Sequence, residues 1–275
     1  MDLYNATVEI HRSDNESKIF RVFPDFPIRL FKAGQYGSLG LASDEKENKL
    51  VKRAYSIASP MIDLSTNQLS NQKDLKYLEF YINKVNQRKK KEQITPKLFE
   101  LKSGDRMFCG EKIVGHYTAP ENSDWKNIVF VSTHTGESPN NSIINHLLLQ
   151  GSKATIININ VGNSWKSLYT EEHQAIEKLY KNYRFLQFQD NSPTYNRITN
   201  FIANFNENAE FSALLDVKET LFYLCGDPLL IGAPVKKGGW EYQYPDYGIV
   251  NVLTKKSFEI STRFKKGNIT CESYW

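Results

Sequence analysis

The segment Arg53-Ala54-Tyr55-Ser56-Ile57-Ala58-Ser59, closed by Pro60, places several binding chemistries on one short extended stretch. Side chains alternate along a strand, so Arg53 and Tyr55 share one face and Ala54 and Ser56 the other. A guanidinium can fork onto a phosphate, and a phenol ring can stack on a flat ring. The pair therefore suits a nucleotide-like ligand with an aromatic head. An edge strand with ordinary polar decoration would show the same residues, so other segments must decide.

Three further segments carry candidate chemistry. Val131-Ser132-Thr133-His134-Thr135-Gly136-Glu137-Ser138-Pro139 leads from an apolar strand into a helix, where backbone N–H groups and hydroxyls face any ligand at the helix N-terminus. Cys225-Gly226-Asp227-Pro228 follows another apolar strand in the same way, although a cysteine there equally reads as a small buried apolar residue. The chain ends Glu272-Ser273-Tyr274-Trp275, and two terminal aromatics are costly to leave in water. They are expected to cover something flat, either a ligand or the protein's own surface.

The elements that would position these residues fall into two halves. Up to about residue 120, short runs at 7–11, 19–23, 53–58 and 77–85 read as strands, with frequent glycine and little helical periodicity. Many short strands favour a closed antiparallel β-barrel, because closure removes exposed edges. Beyond residue 120, apolar runs at 128–131, 155–161, 185–188 and 221–225 alternate with helix-length stretches at 140–150, 171–183 and 197–205. That alternation predicts a Rossmann-like α/β domain, a parallel sheet covered on both faces that binds ligands beyond the carboxyl ends of its strands. From Leu229 onward, Pro and Gly interrupt any helix, and an irregular excursion followed by a strand over 248–254 is expected. The predicted domains are 1–120 and 121–275.

Composition narrows the class. With 275 residues, 40% hydrophobic and 24% charged, the chain reads as an ordinary two-domain globular protein with no apolar run long enough for a membrane span. The N-terminal residues carry neither a secretory nor an organellar signal pattern, so a cytoplasmic location is expected. Cys109, Cys225 and Cys271 are far apart and lack metal-ligand spacing, which predicts neither a disulfide framework nor a metal site. A net charge of +4 is too mild to call for nucleic acid but suits an acidic protein partner. The densest basic run, Arg88-Lys89-Lys90-Lys91, reads either as a solvated loop or as a steering patch for such a partner.

Taken in order, these motifs resemble the ferredoxin-NADP reductase family, most closely its bacterial type, over nearly the whole chain. Further matches are Gly34-Gln35-Tyr36 with Leu39-Gly40, Glu79-Phe80-Tyr81-Ile82, and Ile94-Thr95-Pro96-Lys97-Leu98-Phe99 running to Gly104-Asp105. The resemblance implies that the barrel binds FAD through Arg53, Tyr55, Ser56 and Ser59. Main-chain contacts would come from Ile57 and from Gln93, Ile94 and Thr95. It implies that Thr135 sits by the flavin and that Thr133, Thr135, Gly136, Arg197, Cys225, Gly226 and Pro228 hold the nicotinamide dinucleotide. Cys225, Glu272 and Tyr274 would flank the reacting centre, with Tyr274 covering the flavin ring and Trp275 as the extra aromatic of bacterial members. Flavin carries the electron chemistry, so neither an acid–base dyad nor a metal is needed.

The family's first glycine in this turn is His134 here, and its alanine is Ser138. Where arginines usually pair with the 2′-phosphate of NADP, the chain has Gly162-Asn163 and Asp190-Asn191-Ser192, leaving Arg197 with Lys166 and Arg184 nearby. Asp190 could instead meet a ribose hydroxyl. The implied activity is electron transfer between NADP(H) and ferredoxin or flavodoxin by a monomeric enzyme. An NADH-dependent reductase component of an oxygenase system and a flavin-bound module without dinucleotide use are the alternatives.

Overall fold

The computed structural model describes residues 3–58, 61–84, 93–121, 124–162, 166–238, 241–262 and 265–274. Ser59, Asn163, Trp275 and the Arg88-Lys89-Lys90-Lys91 run lie outside the described residues. The chain divides into two compact units, Met1–Ala119 with Asn141–Leu149, and Pro120–Asn140 with Gln150–Trp275. No helix among the described residues is long and apolar enough to cross a membrane.

The first unit is antiparallel. Strands β1 (Ala6–Ser13), β2 (Ser17–Pro24), β3 (Tyr36–Ala42), β4 (Leu50–Ser56), the short pair β5 (Ile62–Asp63) and β6 (Gln68–Leu69), β7 (Leu78–Asn83) and β8 (Arg106–Cys109) precede its end, with helix α1 (Ile94–Glu100) between β7 and β8. Six of them form one sheet in the order β4-β3-β8-β1-β2-β7. Just past β4, Ile57 pairs with Phe80 of β7 and the Ala58 N–H donates to the Glu79 carbonyl at 2.8 Å, joining the two outer strands. This closes the expected barrel. Its interior is filled by alternate side chains, among them Val8, Phe20, Val22, Leu39, Ile57, Phe80 and Met107, and by Ile94 and Leu98 from α1.

The second unit contains β9 (Asn127–Thr133), α2 (Glu137–Leu149, whose last part counts with the first unit), β10 (Thr155–Gly162), α3 (Thr170–Leu179), β11 (Tyr183–Gln189), α4 (Asn196–Ala203), β12 (Thr220–Gly226), α5 (Pro228–Ile231), β13 (Val235–Gly238), β14 (Glu241–Gln243), α6 (Gly248–Thr254) and β15 (Ile269–Ser273). The sheet order is β11-β10-β9-β12-β15, and every pairing is parallel. The order reverses between β9 and β12, the place where open parallel sheets leave a crevice for a ligand. One face carries Val129, Val131, Ile157, Ile159, Phe222 and Leu224 against Ile198 and Ile202 of α4, Leu230 of α5, and Ile249 and Leu253 of α6. On the other face the register aligns Gln187, Asn160, Ser132, Cys225 and Glu272 in a single row across all five strands.

Three expectations need correction. Residues 248–254 form a helix rather than a strand. Ile249 and Val250 raise β-propensity, but burial of Ile249, Val250 and Leu253 follows helical spacing, and packing overrides propensity. The helix expected at 140–150 begins at Glu137, because Pro139 falls in the first turn, where a missing N–H costs nothing. Tyr183, expected at the end of a helix, opens β11 instead.

Candidate functional site

In the first unit Arg53 and Tyr55 lie on β4, paired with Leu39 and Gly37 of β3. Arg53 is exposed, and its Nη1 donates to the neighbouring Lys52 carbonyl at 2.9 Å. Tyr55 is half-buried, with its Oη 3.2 Å from Thr95 Oγ1. The ring is thus pinned by its phenolic end to the start of α1, and burial raises the phenol's pKa. Ser56 is buried beside it. The Ile57 N–H is already given to the Gln35 carbonyl at 3.1 Å, so it is not available to a ligand. Ile94 points into the barrel core, leaving only its main chain beside Gln93 and Thr95.

In the second unit the turns after β9 and β12 interlock. Thr133 Oγ1 accepts from the Asp227 N–H at 2.8 Å. A Cβ on Gly136 would lie 2.3 Å from the Cys225 carbonyl oxygen, and one on Gly226, at φ +128°, would lie 2.3 Å from Thr133 Oγ1. Only glycine lets the two backbones meet at this crevice. Thr135 sits between them on a single 3-10 turn, and Pro228 opens α5 behind an Asp227 cap that accepts from Leu229 N–H at 2.8 Å.

Cys225 pairs in register with Glu272 on β15, and the Tyr274 N–H donates to the Gly226 carbonyl at 2.8 Å, while its side chain hydrogen-bonds the Cys225 thiol. Burial, then the Glu272 charge, push that thiol's pKa far up, so it stays protonated despite the Tyr274 bond. Burial also pushes the Glu272 carboxyl up to about 7. Glu272 Oε2 is buried with no hydrogen-bond partner among the described residues. An acidic group that titrates near neutrality thus stands beside a protonated thiol at the carboxyl edge of the sheet. The thiols should be inert as a set, since burial also raises Cys109 to about 12 and Cys271 to about 11. Native protein at pH 8 should therefore react only slowly with a disulfide reagent such as Ellman's; a cysteine labelled within seconds would contradict this environment.

The remaining expected residues are placed differently. Arg197 is exposed in the first turn of α4, past the end of β11, and the preceding Tyr195 Oη donates to Asp227 Oδ2 of the turn after β12 at 3.0 Å. Asp190 is buried, and its two oxygens accept from Ser192 N–H and Oγ and from the Ile198 N–H in the first turn of α4. His134 adopts φ +47°, a left-handed conformation usually left to glycine. Sequence reasoning missed a buried group formed by Glu137, Ser167, His173, Tyr183 and Asn158. Its visible signal is the pair Asn158 and Asn160 in an otherwise apolar strand. Among the described residues no cluster of His, Cys, Asp and Glu could hold a metal.

Known structures share this fold of an antiparallel barrel followed by a parallel sheet. A ferredoxin NADP+ reductase from Neisseria gonorrhoeae with bound FAD and NADP superposes with a TM-score of 0.71 at 18% identity, covering 98% of this chain and 97% of that one. The CS-b5R domains of human Ncb5or in the NAD+ form give 0.68 at 14% identity, over 97% of this chain and 68% of that one. In sequence the chain is 25% identical over 266 residues to a flavodoxin/ferredoxin–NADP reductase of Buchnera aphidicola subsp. Baizongia pistaciae, covering 94% of each. No protein-family model matches. The resemblance to the ferredoxin-NADP reductase family is borne out over nearly the full length.

Proposed function

We propose that the protein is a FAD-dependent oxidoreductase that moves electrons between NADP(H) and ferredoxin or flavodoxin. The observation that carries this is the row Ser132-Cys225-Glu272 beneath two glycine-interlocked turns, in a chain similar to a flavodoxin/ferredoxin–NADP reductase along 94% of its length. The residues present fit both cofactors. Arg53 offers a fork for pyrophosphate, Tyr55 a pinned ring for the isoalloxazine, and Ser56 a hydroxyl. Gly136 and Gly226 let the turns after β9 and β12 close on each other at the carboxyl edge of the sheet, and Glu272 Oε2, which has no hydrogen-bond partner among the described residues, can accept from a dinucleotide there. FAD, when bound, takes up two electrons from the dinucleotide and releases them singly.

The chain's own groups orient this exchange. Tyr55 supplies a flat surface in the first unit, and Tyr274 one in the second. Cys225 supplies a small, neutral contact that leaves space beside the reacting carbon. Glu272 holds or accepts a proton at its carboxyl near neutral pH. In this reading the protein works as a cytoplasmic monomer, and no metal is needed for the electron transfer.

Steady-state reduction of ferredoxin and flavodoxin with NADPH and with NADH tests the proposal; turnover of neither protein acceptor would overturn it. The second reading, an NADH-linked reductase component, is favoured by Gly162 and the capped Asp190 standing where family arginines pair with a 2′-phosphate. A catalytic efficiency for NADH above that for NADPH would select it. Arg197, exposed in the first turn of α4, is then the side chain to test first, with Arg184 exposed on β11 as the second.

His134 makes a separate prediction. Replacing a non-glycine residue at positive φ with glycine relieves about 1 kcal/mol of local strain and removes a Cβ from the turn. His134→Gly should lower the KM for the dinucleotide severalfold with FAD content unchanged. An unchanged or higher KM would show that the imidazole does not restrict the site.

A further inference from the structure

Glu137 is fully buried at the first turn of α2, immediately after Thr135 and Gly136. Its two oxygens lie 2.8 and 2.7 Å from Ser167 Oγ, and Oε1 lies 2.7 Å from His173 Nε2. His173 Nδ1 is 2.6 Å from Tyr183 Oη, which takes a bond from Asn158 Nδ2 at 3.2 Å. All five side chains are 4% exposed or less. One assignment of protons runs through the chain: Asn158 donates to Tyr183, Tyr183 to His173 Nδ1, and His173 Nε2–H and Ser167 O–H both donate to the Glu137 carboxylate, while Asn158 Oδ1 is buried without a hydrogen-bond partner among the described residues.

These residues include a serine, a histidine and an acid, but they are not a nucleophilic triad. The Ser167 hydroxyl is bonded to the carboxylate and not to the imidazole, and it is shut away from solvent. What the chain joins is more informative. Glu137 belongs to the turn after β9, and Ser167 to the segment after β10, next to the exposed Lys166. Ser167 Oγ also accepts from the Tyr169 N–H at 2.9 Å, and the Ser167 carbonyl accepts from Thr170 Oγ1 at 2.7 Å. One carboxylate therefore ties together two adjacent strand ends, and in parallel sheets such ends hold the phosphate and adenosine parts of a dinucleotide.

We infer that Glu137 is a positioning residue, held by His173 and Tyr183, that fixes the Ser167 segment and so sets the affinity for the adenosine side of the dinucleotide. The inference rests on the reading of this unit as a dinucleotide module. It extends that reading to residues that touch neither cofactor nor substrate. Loss of the Ser167 hydroxyl frees the segment and leaves Glu137 with one donor fewer, so the effect should fall on binding and not on the chemical step.

Isothermal titration calorimetry of the FAD-loaded protein with NADP+ and with NAD+ tests this, alongside steady-state kinetics. Ser167→Ala should weaken binding of the preferred dinucleotide about tenfold and raise its KM in proportion. Its kcat, flavin spectrum and FAD content should match the wild type. Ser167→Thr, which keeps the hydroxyl, should recover most of the affinity. Ser167→Ala removes one oxygen only; Glu137→Ala removes the hub and should show a larger loss wherever it folds. Wild-type affinity in Ser167→Ala overturns the inference, as does a loss spread equally over kcat, KM and flavin content. If the wild type itself binds neither dinucleotide, the proposed function fails, and this inference with it.

Discussion

Tyr55→Ala and Arg53→Ala should each yield protein that loses FAD on purification, with an affinity one to two orders of magnitude below wild type. The Tyr55 ring is held at its hydroxyl by Thr95 and cannot be replaced by a neighbour, and a stacked aromatic contact of this kind contributes about 1–3 kcal/mol. Arg53 is exposed, so in the absence of ligand its charge costs the fold nothing, and a forked guanidinium–phosphate contact contributes about 1.5–3 kcal/mol. The fold itself should survive both changes, because the barrel core is built from Leu39, Ile57, Phe80 and their neighbours. Tyr55→Phe separates stacking from tethering: it keeps the ring and loses only the Thr95 bond, and should retain most of the flavin. Flavin content per chain, read from visible absorbance after gel filtration, is the check. Full occupancy in Tyr55→Ala would remove β4 from the site.

Glu272→Gln should flatten the pH dependence of turnover and lower the rate near neutrality by one to two orders of magnitude, the usual range for a group that gives or takes a proton. The wild-type profile should bend near pH 7, where burial places the carboxyl. The amide introduced by Glu272→Gln fills the same space but cannot exchange a proton, and the neighbouring Cys225 and Cys271 titrate too high to substitute. Stability should move the other way. A carboxyl raised from its ordinary 4.5 to about 7 favours the folded state fully below 4.5; that contribution is lost as pH rises towards 7 and does not change further above it. Glu272→Gln should therefore be more stable than wild type at pH 8, by on the order of 3 kcal/mol, and the gap should close at pH 4. A wild-type profile without an inflection between pH 6 and 8, or one that persists in Glu272→Gln, would assign the proton to another group.

The sequence exposes the parts of this fold that repeat a simple period. Continuous apolar runs such as Ile128-Val129-Phe130-Val131 read as buried parallel strands, and they are. The edge strand β15 is hidden because Thr270, Glu272 and Ser273 make it too polar to read as sheet, although Glu272 and Tyr274 can be picked out by resemblance to known chain endings. Helix α6 is misread because Ile249, Val250 and Val252 favour strands locally, while Gly248 at φ +78° beside Gly232 fixes a different path. The Glu137 group leaves one trace in the sequence, the asparagines of β10, and is otherwise hidden for another reason. Its members are spread from Glu137 to Tyr183 and meet only through the sheet, so no spacing in the sequence announces them. The residues of β4 proposed to hold flavin are the easiest to single out, since their chemistry is concentrated in four adjacent positions.

The central claim, that a flavin held by β4 receives electrons from a nicotinamide dinucleotide held at the ends of β9 and β12, is tested most directly by anaerobic rapid mixing. Purified yellow protein mixed with excess NADPH should lose its flavin absorbance promptly, and faster than with NADH. Prompt bleaching by NADH alone would keep the site and exchange the cofactor. A flavin that stays oxidised with both would contradict the account, leaving a flavin-binding protein whose second unit does something other than deliver electrons.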